Sequence, residues 1–157
     1  MTNDQKLDFT RRITQANRSE LVLIKFEILF VYFDEICTAF HADHQEALTL
    51  SVRHADAVLK SFQETLDFTY EISAQLFSLY DFHRRQLAKV LMRHSLDELH
   101  HSRKMLQSTY EGFKQAAKQD QSKPLMQNAQ QVYAGYTYGK NDINESYEIG
   151  ASRGFLA

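Results

Sequence analysis

The chain of 157 residues has no tryptophan, one proline (Pro124), one cysteine (Cys37) and five glycines, of which only Gly112 precedes position 135. A stretch of more than a hundred residues without a breaker is helical unless a two-residue alternation of apolar and polar positions appears, and none does. One cysteine excludes a disulfide framework, and its place inside an apolar run fits a small packed side chain in a reducing compartment. Excess charge is missing too. The net charge is −2, with 15 basic and 16 acidic residues before position 120, so there is no basic footprint for nucleic acid or for an anionic membrane. The most apolar stretch, Leu21 to Phe40, is interrupted by Lys25, Glu27, Asp34 and Glu35, and the segment MTNDQKLDFTRR has no apolar signal region. The expectation is a soluble, cytoplasmic protein with no membrane insertion.

What is present is periodic. Capping residues followed three positions later by glutamate (Asn17 with Glu20, Asp43 with Glu46, Ser95 with Glu98) mark helix starts, and Asp67 or Thr69 is a candidate cap for one more. The spacing predicts helices over 18–41, 44–66, 69–93 and 96–119, with links short enough to make neighbours antiparallel. Leu48, Val52, Ala55, Leu59, Phe62 and Leu66 form one three-four stripe; Leu96, Leu99, Leu106, Tyr110, Phe113 and Ala117 form another. The expected fold is all-α, an antiparallel up-down four-helix bundle over residues 1–119, followed by a largely irregular tail over 120–157 that carries Tyr133, Tyr136, Tyr138 and Tyr147.

Two of these helices carry more apolar surface than one core needs. Val22, Phe26, Leu29, Phe33, Ile36 and Phe40 make a core arc in the first, while Leu21, Ile28, Tyr32 and Ala39 form a second stripe, and Ile24 and Val31 point near the acidic face. In the third, Ile72, Leu76, Leu79, Leu87 and Val90 make the core arc, and Tyr70, Ala74, Phe77 and Ala88 a separate flank. Within LFSLYDFHRRQL (76–87), Leu76, Leu79, Tyr80 and Leu87 share an arc. Phe77 lies roughly 100° and Phe82 roughly 120° from its centre. Two readings fit the surplus: helices with neighbours on two sides, or an exposed groove that binds an amphipathic peptide.

Chemical motifs are sparse. Glu98-Leu-His-His101 has the Glu-x-x-His spacing of carboxylate-bridged di-iron bundles, but the second copy and the two further inward glutamates that such a site needs are missing. His54 lacks the closely following lysine and glycine of a phosphotransfer histidine, and His83 falls in an apolar arc as a hydrogen-bonded core residue. No phosphate loop, nucleophile elbow or Cys/His cluster is present. The expectation is a protein without catalysis, cofactor or metal; a metal-binding or phosphotransfer bundle is the alternative.

The stretch EISAQLFSLYDFHRRQLAKV (71–90) resembles the third helix of the flagellin export chaperone family, FliS, which carries Leu-Tyr-Asp-Tyr, a basic residue and a leucine in this order. ITQANRSELVLIKFEILFVYFDEI is similar to that family's first helix after its cap, and VLKSFQETLDF to the end of its second. The likeness covers roughly residues 13–117, with Leu79-Tyr80-Asp81-Phe82 its most specific part. It implies a helical bundle that binds the disordered C-terminal segment of flagellin in apolar grooves, prevents premature assembly and serves the flagellar type III export apparatus. Leu21, Ile28, Tyr32, Tyr70, Phe77, Tyr80, Phe82 and Arg84 are the candidate flagellin-binding residues. The chain departs from the pattern where Phe82 replaces a tyrosine and where Tyr110 or Phe113 stands in place of a tryptophan. It also departs at the N-terminus, where the family has a tyrosine-bearing segment able to cover the groove and this chain has only Phe9. The tail tyrosines Tyr133, Tyr136 and Tyr138 are candidates to dock in the groove in place of that cover, or to meet an export component. Self-association is compatible with the sequence.

Overall fold

The computed structural model describes residues 1–126, and among them every regular element is a helix. There are five rather than the expected four: α1 (Asn3–Gln15), α2 (Arg18–His41), α3 (Gln45–Glu64), α4 (Glu71–Arg93) and α5 (Asp97–Ala117). The four long helices lie close to their expected bounds, and α1 is the addition. It starts with a capping box in which the Thr2 hydroxyl accepts from the Gln5 N–H while the Gln5 side chain accepts from the Thr2 N–H. Asp4 in the first turn complements the helix dipole there.

The other caps follow the sequence unevenly. Asn17 and Glu20 form the expected box at the start of α2. At the next start the box is absent. Asp43 takes a left-handed conformation (φ 51°) that ends α2, as the short side chain of aspartate allows, and His44 caps α3 by accepting from the Ala47 N–H. Ser95 accepts from the Asp97 N–H, and Glu98 pairs instead with Arg93 at 2.6 Å, so that box is also corrected. Tyr70 precedes α4 without a side-chain cap; Asp67 holds the preceding turn by accepting from both the N–H and the hydroxyl of Thr69.

α2 packs on α3 and α5, α4 packs on the same two helices, and α1 lies on α2. The ring of four contacts encloses one core, with Phe26, Leu29, Phe33, Ile36, Leu59, Tyr80, Leu87 and Leu106 among its most buried members. Phe26 sits among aromatic rings, 4.6 Å from Phe62, 5.7 Å from Phe113 and 6.0 Å from Tyr110, centroid to centroid. Polar pairs cross the ring: Arg103 with Asp34, Lys25 with the Ser61 carbonyl, and Arg84 with Asp56.

A covered stripe and an open aromatic flank as candidate functional sites

The surplus on α2 has a neighbour. Phe9 of α1 and Ala16 at the elbow pack with Ile24 into a small second core, bordered by Met1, Leu21, Ile28 and Val31. Ile24 and Val31 therefore belong with the outer stripe rather than an acidic face, and Ile24 is only 4% exposed. Charge holds the edges of α1. Arg12 donates to Glu27 at 2.5 Å, the Tyr110 hydroxyl of α5 donates to the other oxygen of Glu27 at 3.2 Å, and the Met1 ammonium pairs with Glu35. The rest of α1 is largely exposed, including Leu7.

Two clefts share Ile24. One, about 340 Å³, is polar at its edge, lined by Arg12, Glu20 and Glu27. The other, about 580 Å³, is mainly apolar, lined by Ile13, Leu21, Val22, Ile24 and Ile28, with Lys25 at its margin. The Lys25 ammonium donates to the Ser61 carbonyl at 3.1 Å and to the Thr65 hydroxyl at 3.3 Å, and lies 5.0 Å above the Phe62 ring. Partial burial lowers its pKa, with Glu64 pulling the other way.

The second surface surrounds the α3–α4 link. Phe68, Tyr70, Ile72 and Phe77 are 63, 65, 59 and 43% exposed, and the rings of Phe68 and Phe77 approach to 6.0 Å. Ile72 is thus not a core residue; the first turns of α4 bury Ser73 and leave most of their apolar side chains to solvent. Beneath this flank a polar relay fixes α4 on α3. Arg84 grips Asp56 through two bonds of 2.7 and 3.1 Å and reaches Gln63 Oε1 at 3.1 Å, while Gln63 Nε2 donates to the Phe77 carbonyl at 3.2 Å.

Residues 1–120 match the family described as Flagellar protein FliS. The chain belongs to the FliS family. Its class is therefore that of the chaperones of flagellum biogenesis. No curated protein matches the chain. Among the described residues no helix is long and apolar enough to cross a membrane.

The candidate residues of this FliS chain fall into separate groups. Leu21 and Ile28 lie together beneath α1, half-buried, and Tyr70 and Phe77 together on the open flank. Tyr32 is half-buried with its ring 5.0 Å from His54. Phe82 is also half-buried, 5.2 Å from the His83 ring. Tyr80 is 1% exposed and stacked on Phe62 at 5.0 Å; burial pushes its hydroxyl pKa up to about 12, so it is a core residue out of a partner's reach. Arg84 is partly exposed, but its guanidinium is engaged by Asp56. Tyr133, Tyr136 and Tyr138 lie outside the described residues. Sequence reasoning missed Phe68 as part of these surfaces, placed Ile24 on the wrong face, and singled out Phe9 as the one residue available for a cover without expecting the helix that carries it. For Phe9 a signal existed in the spacing Thr2-x-x-Gln5.

The residues raised for chemistry are otherwise engaged. Glu98 faces Arg93, His54 lies against Tyr32, and among the described residues no three His, Cys, Asp or Glu side chains group closely enough to hold a metal ion. His83 is fully buried on α4, with Nδ1 3.0 Å from the Ser102 hydroxyl of α5 and Nε2 without a partner.

Proposed function

We propose that this chain is a cytoplasmic, non-catalytic export chaperone that binds the disordered C-terminal segment of flagellin and keeps it unassembled for the flagellar type III apparatus. The observation that carries this reading is the apolar stripe of α2, Leu21, Ile24 and Ile28, covered by a single short helix and bordered by a mainly apolar cleft. An amphipathic helix of the client fits such a surface by replacing the cover. Burying a few hundred Å² there supplies several kcal/mol at about 25 cal/mol per Å², before ordering costs. Tyr70 and Phe77 offer a second anchoring point for a client that wraps the bundle.

In this reading residues 1–119 form the chaperone domain, an antiparallel bundle of the four long helices, followed by the segment 120–157. The cross-helix pairs support the antiparallel order, because partner numbers fall as chain numbers rise: Lys25 with Ser61 and Tyr32 with His54, then Arg103 with Asp34 and Tyr110 with Glu27.

Calorimetry of the full chain with a C-terminal flagellin peptide is expected to give one peptide per chain; a folded protein that shows no heat of binding rejects the proposal. Phe77→Ala should weaken binding roughly tenfold to a hundredfold while changing stability by less than about 1 kcal/mol. An equal loss of stability would return Phe77 to the core.

A further inference from the structure

The chain that leaves α5 returns to the α1–α2 elbow. Asp120 Oδ2 accepts from the Ser19 hydroxyl at 2.5 Å, the Ser122 carbonyl accepts from Asn17 Nδ2 at 3.3 Å, and the Ala16 carbonyl accepts from the Leu125 N–H at 3.1 Å. Asp120 Oδ1 also accepts from the Ser122 N–H at 2.9 Å, which turns the strap toward the elbow. Asn17 works at both ends: its Oδ1 caps α2 through the Glu20 N–H, and its Nδ2 holds the strap. Ala16 is the C-cap of α1, and its carbonyl is one of the acceptors that a helix end leaves without an internal partner; the Leu125 N–H fills it. Pro124, the chain's one proline, directly precedes Leu125 and restricts the strap before it docks, which reduces the entropy lost on docking.

The three long-range bonds join residues about a hundred positions apart, and they converge on Ala16 and Asn17 between α1 and α2 and on Ser19 in the first turn of α2. Ala16 and Asn17 are buried, whereas residues 121–126 are exposed. We propose that residues 120–125 are a latch on the α1–α2 elbow, holding α1 over the apolar stripe of α2, and that Asn17, Ser19 and Asp120 are its positioning residues. A strap held by three exposed or half-buried hydrogen bonds opens at a small fraction of the free energy of global unfolding, leaving α1 held only by Phe9 and its pairs with Glu27 and Glu35 and so easier to release while the long helices stay folded. The link to client binding rests on the function proposed above; the latch itself does not.

The test is hydrogen exchange on the full chain carrying Asp120→Ala, Ser19→Ala, or Gln121→Ala as a control whose exposed side chain makes none of these bonds. The first two variants should raise exchange across residues 3–15 by roughly 5-fold to 30-fold, the loss of one or two hydrogen bonds, with α3 to α5 unchanged and the control like the parent. Unchanged exchange in α1, or an equal rise in every helix, overturns the latch. The same variants should bind the flagellin C-terminal peptide more tightly. Faster α1 exchange with unaltered affinity leaves the latch in place and overturns instead the assignment of the covered stripe to flagellin.

Discussion

His83 shows what a single buried side chain imposes. It is enclosed completely, one ring nitrogen against Ser102 and the other without a partner, and desolvation lowers its pKa from 6.5 to about 4, with His101 adding to the effect. The unfolded chain takes up a proton near pH 6.5, whereas the folded chain resists until about 4. Between those values the unfolded state binds more protons, so stability falls as pH drops through this window and is insensitive to His83 above it. His83→Gln, which does not titrate, should therefore show a smaller fall in melting temperature from about pH 7 to about pH 4 than the parent; identical falls would mean that His83 titrates normally in the fold. That His83 is a core residue was readable from its place in the apolar arc. The opposite fates of Tyr80 and Phe77 were only half readable, because an angle on a helical wheel gives direction but not the depth at which the neighbouring helix ends. Phe77 lies off the arc and is exposed; Ile72 lies on it and is exposed as well, since the first turns of α4 bury little beyond Ser73.

At the scale of elements, α1 is the informative case. Its 13 residues include only three large apolar side chains, Leu7, Phe9 and Ile13, and an isolated helix of that length is marginal in water. Docking on α2 stabilises it, chiefly through Phe9 and the Arg12–Glu27 pair. Phe9→Ala is expected to loosen α1 selectively, with faster exchange over residues 3–15 and little change in the thermal transition of the long helices. A large drop in that transition would instead make α1 part of the main cooperative unit. The long helices were legible because each carries a wide stripe over about six turns. α1 was not, because its burial depends on surface supplied by α2. The capping boxes at Asp43 and Ser95 were misread for a related reason: a polar residue beside a helix start has several backbone donors within reach, and here Asp43 ends α2 while Glu98 pairs with Arg93.

At the scale of the whole molecule, the main core decides stability. Phe26 is fully buried on α2 with rings from α3 and α5 around it, so Phe26→Ala should cost about 3–5 kcal/mol in urea unfolding, far more than truncating Phe77. A cost near 1 kcal/mol would show that the rings collapse into the space. The sequence by itself determined the all-helical class, the bounds of the four long helices to within a few residues, and the surplus of apolar surface on two of them, because periodicity and breakers act locally along the chain. Its likeness to FliS around Leu79-Tyr80-Asp81-Phe82 agreed with the family match over residues 1–120. Only the tertiary structure decided how the surplus is used: the α2 stripe is covered by α1 and its elbow held by residues 120–125, while the Phe68–Phe77 flank stays open. The cover joins residues about fifteen positions apart across a helix break, and the latch joins residues about a hundred apart; both depend on groups meeting in space, and no local pattern encodes such a meeting.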